Sequence, residues 1–235
     1  MCGILLLAFA TILSGAAYGQ FTSFAFTGTG TGSIPDGTAT TPPAFGAPRT
    51  VSFTVSGLPF NVRNVAVSMD LSHSWIGDLE AVLAAPGGSP AVYIFSRVGS
   101  LSATGFGDDS DLAGVYTFAD AQSYGDLWAA AASVGGTSVV PSGNYRASSP
   151  DGSPGGGVIG NFSILFAALT PAQAHGTWTL TFRDASLGNT GSVASATLGI
   201  GVGPTVTGLT PMTGSTSGGT AVVISDPTST PQEPR

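Results

Sequence analysis

The chain has 235 residues, of which 42% are hydrophobic and only 8% are charged, and its 6 basic residues are all arginine. The formal net charge is −7, so the chain lacks a basic stripe that could neutralise phosphates, which argues against nucleic acids and anionic membrane surfaces as partners. The apolar content is too high for a disordered chain, and the many short apolar runs broken by glycine and proline predict a turn-rich, all-β protein.

The N-terminal segment, residues 1–19, has the pattern of a secretion signal. Residues 4–13 form a short apolar run, and residues 17–19 fit a cleavage site of the small-x-small kind. Because the apolar run is too short to span a bilayer well, we expect no membrane span but a secreted, extracellular protein that begins at Gln20. Cys2, the only cysteine, would leave with the signal, so the mature chain would hold no disulfide.

Alternation of apolar and polar residues predicts strands at 21–27, 51–55 and 62–73. A hairpin is expected from 79–84 and 91–95, which flank a Pro-Gly-Gly turn. Further along we expect an irregular stretch over 97–154 with a short helical turn at 126–132, and then strands at 161–166, 177–182 and 192–201. No segment has a long apolar repeat of 3.6 residues, which argues against an α-rich fold.

Two motif segments stand out in this order of strands. The first is MDLSHSWIGDL at 69–79, followed by LAAPGG at 83–88. The second is GTWTLTFRD at 176–184, followed by GNTGSV at 188–193. Together they resemble the P domain (P/Homo B) of subtilisin-like proprotein convertases, and the resemblance covers roughly 34–201 in the family's own order.

The resemblance implies a jelly-roll β-sandwich of the galactose-binding-like kind over 20–203. It also implies a non-catalytic accessory role beside a subtilisin-like serine endopeptidase. Asn189 stands where the family usually has aspartate, and the stretch around Trp128 looks like an insertion, so ligand details do not carry over directly. Trp178 alternates with Leu180 on one strand face, which indicates a core tryptophan that anchors two sheets.

The C-terminal part changes character at Pro204. Residues 204–225 resemble the opening strand and turn of an immunoglobulin-like module of the IPT/TIG type, of which only about a third fits here. Residues 226–235 are rich in proline, serine and threonine and are expected to be disordered. An alternative interpretation is therefore a fragment of a larger, adhesin-like surface protein.

The acidic residues suggest calcium, because carboxylates from one loop can supply the oxygen ligands that this ion prefers. The densest acidic run is GFGDDSDL at 105–112, and the resemblance supports calcium because bacterial P domains often carry acidic loops here. The candidate ligands are Asp78, Asp108, Asp109, Asp111 and Asp120, with Asp126 as an additional candidate. The alternative is an acidic loop that only faces solvent.

A catalytic triad is not expected. Ser138 lies in a string that faintly resembles a subtilisin nucleophile loop, and His175 lies in one that resembles a catalytic histidine segment. Subtilisins order their triad as Asp, His, Ser, whereas here the serine precedes the histidine. The other histidine, His73, belongs to the first motif segment. We therefore expect a protein without catalytic machinery of its own.

A carbohydrate-binding role is a distinct alternative. Four aromatic residues are candidates for stacking on sugar rings: Trp75, Tyr93, Tyr124 and Trp128. Each could equally be a core or loop anchor. The sequence leaves open whether the partner is a separate protease or an extracellular polymer.

Overall fold

The computed structural model describes residues 22–40, 43–102, 104–148, 159–160, 163–167, 169–203, 208–210, 213 and 223–225. These residues form many strands and few helices, which confirms the predicted all-β class. The strands are β1 (Thr22–Thr27), β2 (Gly32–Ile34), β3 (Ala39–Thr40), β4 (Pro43–Ala44), β5 (Arg49–Val55), β6 (Val62–His73), β7 (Leu79–Ala84), β8 (Ala91–Ser96), β9 (Leu112–Phe118), β10 (Gly125–Asp126), β11 (Gly143–Ser148), β12 (Ile159–Gly160), β13 (Gly176–Asp184), β14 (Gly191–Val202), β15 (Gly208–Thr210) and β16 (Val223–Ser225). The helices are α1 (Leu127–Val134), α2 (Ser163–Phe166) and α3 (Pro171–Ala174). In this described part, none of the helices has the length and apolar character that a membrane crossing requires.

Two sheets contribute to one hydrophobic core. The larger has the order β1-β14-β6-β9-β11-β10, with β2 beside β14 and β12 beside β11. The smaller has the order β5-β13-β7-β8. Neighbouring strands run antiparallel, except that β9 and β10 lie parallel to β11. Phe95 of the smaller sheet and Phe118 of the larger sheet have ring centroids 5.7 Å apart, so the sheets pack in a sandwich-like way.

The core follows from alternation along the long strands, because successive side chains of a strand point to opposite faces of the sheet. In β13, Trp178, Leu180 and Phe182 are all fully buried. The Trp178 indole Nε1 donates a hydrogen bond to the Ala174 carbonyl at 2.8 Å, and the indole lies 5.0 Å from the Phe166 ring. The prediction of a core tryptophan is confirmed.

Two predictions about local structure are wrong. Residues 97–154 are not irregular throughout, because they contain β9 and β11. Neither strand has a clear apolar alternation, because both contain glycine and polar residues. In β9, Gly114 also adopts a φ of 150°. Residues 163–166 form helix α2 instead of the expected strand, since a short apolar run fits either structure and the neighbouring chain decides. Residues 161–162 lie outside the described part of the chain.

Other local predictions are confirmed. The hairpin is formed by β7 and β8, which pair antiparallel around the turn Pro86–Gly88. The expected helical turn is α1, which begins after the capping residue Asp126. Residues 1–19 and 226–235 lie outside the described residues, as does most of 204–225, so the secretion signal, the disordered tail and the immunoglobulin-like beginning stay predictions.

Candidate functional site

A group of buried charged and polar side chains lies where β6, β7 and β13 end or begin. We call it the buried network, and its members are His73, Asp78, Arg97 and Asp184. Their exposed fractions are 2%, 1%, 5% and 0%. Buried charges are costly unless they are paired, so the partners of these side chains decide what the group contributes.

The centre of the buried network is a pair of side chains from the two motif segments. The Nε2 atom of His73 lies 3.0 Å from the Asp184 carboxylate oxygen Oδ2. The other imidazole nitrogen lies 2.9 Å from the Trp75 carbonyl oxygen. The second carboxylate oxygen of Asp184 accepts a hydrogen bond from the Ser186 amide at 3.0 Å. The imidazole is therefore held on both sides, and the carboxylate fixes the turn that follows β13.

Asp78 makes a second connection between the motif segments. Its Oδ2 accepts a hydrogen bond from the Asn189 side chain at 3.4 Å, and its carbonyl accepts one from the Ala185 amide at 2.7 Å. Burial, aided by the nearby Asp184, raises the pKa of Asp78 from 3.8 to about 6, although Asn189, His73 and Arg97 oppose the shift. Among the described residues, the Asp78 Oδ1 atom has no hydrogen-bond partner.

Arg97 links the network to the loop that follows β8. Its backbone has a φ of 41°, a left-handed conformation that is uncommon for arginine, and its guanidinium donates a hydrogen bond to the Gly105 carbonyl. Burial lowers the pKa of Arg97, while the carboxylates of Asp78 and Glu80 oppose this shift. Arg97 therefore supplies the positive charge that faces two buried acids.

The loop and the first motif turn pack closely. The Gly77 amide donates to the Asp108 carbonyl at 2.9 Å, and the Asp108 amide donates to the Val98 carbonyl at 2.7 Å. A Cβ atom on Gly77 would collide with the backbone of Gly107. Glycine is required at this turn because two backbones cross where a side chain would otherwise stand.

Glu80 extends the charged region along the two central strands of the smaller sheet, where it pairs with Arg183. Its Oε1 atom accepts a hydrogen bond from the Arg183 Nε atom at 2.6 Å. Burial raises the pKa of Glu80, and the Arg183 charge opposes that shift. The Arg183 guanidinium lies 4.4 Å from the centre of the Phe45 ring, so an aromatic face covers the half-exposed arginine.

The structure separates the predicted calcium ligands. Asp78 ends the first motif turn and Asp108 lies in the loop that packs on this turn, where one Asp108 oxygen accepts from the Ser110 amide at 2.9 Å. Asp111 pairs through its backbone with Ser138 and Val140, whereas Asp109 is half-buried.

The other predicted ligands have structural roles elsewhere. Asp120 Oδ2 accepts from the Ser163 amide at 2.8 Å, and Asp126 Oδ1 accepts from the Trp128 amide at 2.9 Å as the cap of α1. In the described part of the chain, no three His, Cys, Asp or Glu side chains are grouped so that they could hold a metal ion. The five predicted carboxylates therefore do not fit one calcium site among these residues, and calcium binding stays a prediction.

Ser138 and His175 belong to the two segments that resemble parts of a protease. Among the described residues, no hydrogen bond joins these two side chains. Ser138 is exposed, and its carbonyl accepts from the Asp111 amide at 2.9 Å. The His175 Nε2 atom accepts from the Leu58 amide at 3.0 Å. The absence of catalysis stays a prediction, but each of these residues has a backbone role that explains its position.

Four large apolar side chains are exposed on the loops around the buried network. We call them the apolar rim: Phe45, Leu101, Phe106 and Leu187. Leu101 and Phe106 are 78% and 57% exposed. Each lies on a segment tied to the network, for example through the bond from the Gly46 amide to the Asp184 carbonyl at 2.9 Å. The sequence did not single these residues out, because their relation to the network depends on how the loops pack.

No family model matches the chain. No curated protein matches it. Among solved structures, the chain is similar to one in the crystal structure of the Aeromonas sobria serine protease and chaperone complex, with a TM-score of 0.38 and 15% identity. The match covers 79% of this chain but 27% of that chain, so the protein spans about a quarter of that chain's length.

Proposed function

We propose that the protein is a secreted, non-catalytic accessory module of the P-domain type that binds a separate serine endopeptidase. The observation that carries the proposal is the meeting of the two motif segments in one buried network. His73 and Asp78 come from the first segment and bond to Asp184 and Asn189 of the second, 111 residues further along. The residues on which the family resemblance rests are thus the residues that join the ends of three strands.

The geometry of the network supports a structural role for it. A nucleophile and its base must reach a substrate, whereas the His73 and Asp184 side chains are fully buried. The imidazole nitrogens already have the Asp184 carboxylate and the backbone of Trp75 as neighbours. A buried histidine and aspartate with these partners support a structural role for the pair.

The apolar rim supplies the surface for a protein partner. Soluble proteins rarely expose clustered large apolar side chains without a binding purpose, and aromatic residues are enriched at protein interfaces. Phe106 and Leu101 lie on the loop that Arg97 anchors, so the network positions the rim. A proteolytic domain that docks here would gain apolar contacts and would need no charged residues opposite the rim.

The decisive test pairs the full chain with a subtilisin-like endopeptidase encoded in the same genome. We expect the protein to raise the yield of active endopeptidase on refolding, and to show no peptide hydrolysis of its own. The double variant Leu101→Ser/Phe106→Ser should lose this effect, and Val115→Ser, another exposed apolar position, should keep it. Equal yields with and without the protein, or hydrolysis by the protein alone, would refute the proposal.

Calcium stabilisation is part of the proposal because of the acidic sequence pattern, and the candidate ligand to test first is Asp78, whose buried Oδ1 atom has no hydrogen-bond partner among the described residues. A cation at this oxygen would bind the native state only. Thermal melts of the full chain in calcium and in EDTA should then differ, with about 2.7 kcal/mol of added stability at a hundredfold excess over the Kd. The Asp78→Asn variant should show no difference, and identical melts of the parent protein would remove calcium from the account.

A further inference from the structure

A groove lies on the outer face of the larger sheet, away from the core. We call it the sheet groove, and the lining residues that matter here are Arg63, Asn64, Asp120, Tyr124, Gly199 and Gly201. Its volume is about 630 Å³, which falls within the span of roughly 300–1,000 Å³ that is typical of small-molecule sites. None of the proposed functions described above uses it.

The floor of the groove is flat because small residues face each other across neighbouring strands. Gly201 of β14 pairs with Asn64 of β6, and Gly199 pairs with Ala66. A Cβ atom on Gly201 would collide with the Asn64 side-chain oxygen, so the glycine leaves room for the exposed carboxamide to lie beside it. The floor therefore offers a level apolar surface and a planar polar group side by side.

The wall of the groove is fixed in place. Asp120 follows β9, and its Oδ2 atom accepts from the Ser163 amide at 2.8 Å. The Ser163 hydroxyl in turn accepts from the Val65 amide at 3.1 Å and donates to the Val65 carbonyl at 3.2 Å. Since Ser163 is buried and clamps β6, the wall is held in position before a ligand arrives.

The chemistry of the lining indicates the class of ligand. One guanidinium, from Arg63, and one carboxylate, from Asp120, leave the groove without a net formal charge. The Arg63 Nε atom donates to the Gly203 carbonyl at 3.3 Å and Asp120 accepts from the Ser163 amide, whereas the exposed Asn64 carboxamide is a planar group that can bond to two neighbouring hydroxyls at once. Tyr124 adds an aromatic ring, which packs well against the C–H face of a sugar. Polyanions are disfavoured by the chain's net charge of −7.

We propose that the sheet groove binds a neutral oligosaccharide. The flat floor accommodates the C–H face of a pyranose ring, and the exposed carboxamide of Asn64 bonds its hydroxyls. Four aromatic residues were candidates for sugar stacking in the sequence, and of these Tyr124 lines the groove and takes this role in the proposal. The groove shares no residue with the apolar rim, so saccharide binding and protease binding stand or fall separately.

The test is calorimetric titration of the full chain with cello-, xylo-, malto-, laminari- and chito-oligosaccharides, and with an unstructured casein peptide. Gly199→Val fills the floor, and its Cβ atom would lie 3.7 Å from the nearest atom of Ala66, an ordinary contact that lets the strand fold. Gly143→Val is the matched control, a strand glycine of the same sheet whose Cβ atom would meet only Tyr145, at 4.0 Å.

We expect at least one oligosaccharide to bind, and Gly199→Val and Tyr124→Ala each to weaken that binding by about tenfold or more. Gly143→Val and Tyr93→Ala, a half-buried tyrosine of the other sheet, should bind as the parent does. Asn64→Ala gives a third groove variant that leaves the backbone unchanged. The proposal is overturned if no oligosaccharide binds, if the groove variants bind as tightly as the parent, or if only the peptide binds.

Discussion

The buried network and the sheet groove both collect polar side chains, but they differ in their access to water. His73 and Asp184 are fully buried and bonded to each other, whereas Asn64 is exposed at the edge of an open groove. In the first region, polar groups bind one another and fix the strand ends. In the second, the Asn64 carboxamide remains exposed to an external ligand. Burial, more than residue type, therefore distinguishes a structural constellation from a recognition surface in this protein.

The comparison predicts the largest loss of stability at the centre of the network. Asp184→Ala removes the acceptor of the His73 imidazole and of the Ser186 amide, and leaves both groups buried without a partner. At about 1–3 kcal/mol for each orphaned group, we expect a loss of about 3–5 kcal/mol in the free energy of unfolding. Urea unfolding of the parent and the variant measures this. A loss below about 1 kcal/mol would mean that the pair does not hold the fold.

A pH dependence should be traceable to Asp78. Because its folded-state pKa of about 6 lies above the ordinary value of 3.8, the folded protein holds this proton more tightly than the unfolded chain. Its stabilising contribution is thus present below about pH 4 and is lost as the pH rises through 6. The loss amounts to about 2–3 kcal/mol at 1.36 kcal/mol per unit.

The matched variant for this prediction is Asp78→Asn, which cannot ionise. The side chains that face Asp78 are Asp184, His73, Asn189 and Arg97, and the variant leaves all four in place. Relative to the parent, the variant should gain about 2–3 kcal/mol in unfolding free energy between pH 4 and pH 8. If the difference in unfolding free energy between parent and variant is the same at every pH in this range, the ionisation of Asp78 does not lower the stability of the protein.

A smaller loss is expected where two backbones cross. Gly77→Ala places a methyl group against Gly107, so one loop must shift. Overpacking of this kind typically costs about 1–3 kcal/mol. The same change at Gly143, where a Cβ atom has space, is the control. Thermal melts of both variants test the contact, and equal melting temperatures would show that the loop after β8 does not pack on the first motif turn.

The smallest effect on stability is expected in the groove. Asn64→Ala removes an exposed side chain and should change the unfolding free energy by no more than about 0.5 kcal/mol. Its effect should appear in ligand binding instead. A loss of stability comparable with that of Asp184→Ala would show that the groove is a structural element and would remove the contrast between the two regions.

The parts of the fold that the sequence predicted share a regular local pattern. The alternation of β13 placed Trp178 in the core, and the Pro-Gly-Gly turn placed the hairpin of β7 and β8. The strand β9 was missed because Gly114 interrupts its alternation, and α2 was missed because its short apolar run has no period of its own. Such elements are decided by their neighbours in space.

The sites were predictable in part for the same reason. His73 and Asp78 were noted within one motif, but the pairing of His73 with Asp184 depends on strands more than a hundred residues apart. The groove depends on the strand register that places Gly201 opposite Asn64. No local sequence pattern predicts this register. The acidic residues seemed to form one group in the sequence, yet Asp120 lies with Ser163 and Asp78 lies in the network.

The most direct test of the account is a double-mutant cycle on His73 and Asp184, with unfolding free energies of the parent, His73→Ala, Asp184→Ala and the double variant. If the two side chains act as one clamp between the motif segments, the cycle should give a coupling of about 1–3 kcal/mol. Additive losses, with no coupling beyond about 0.5 kcal/mol, would contradict the claim that this pair joins the two segments.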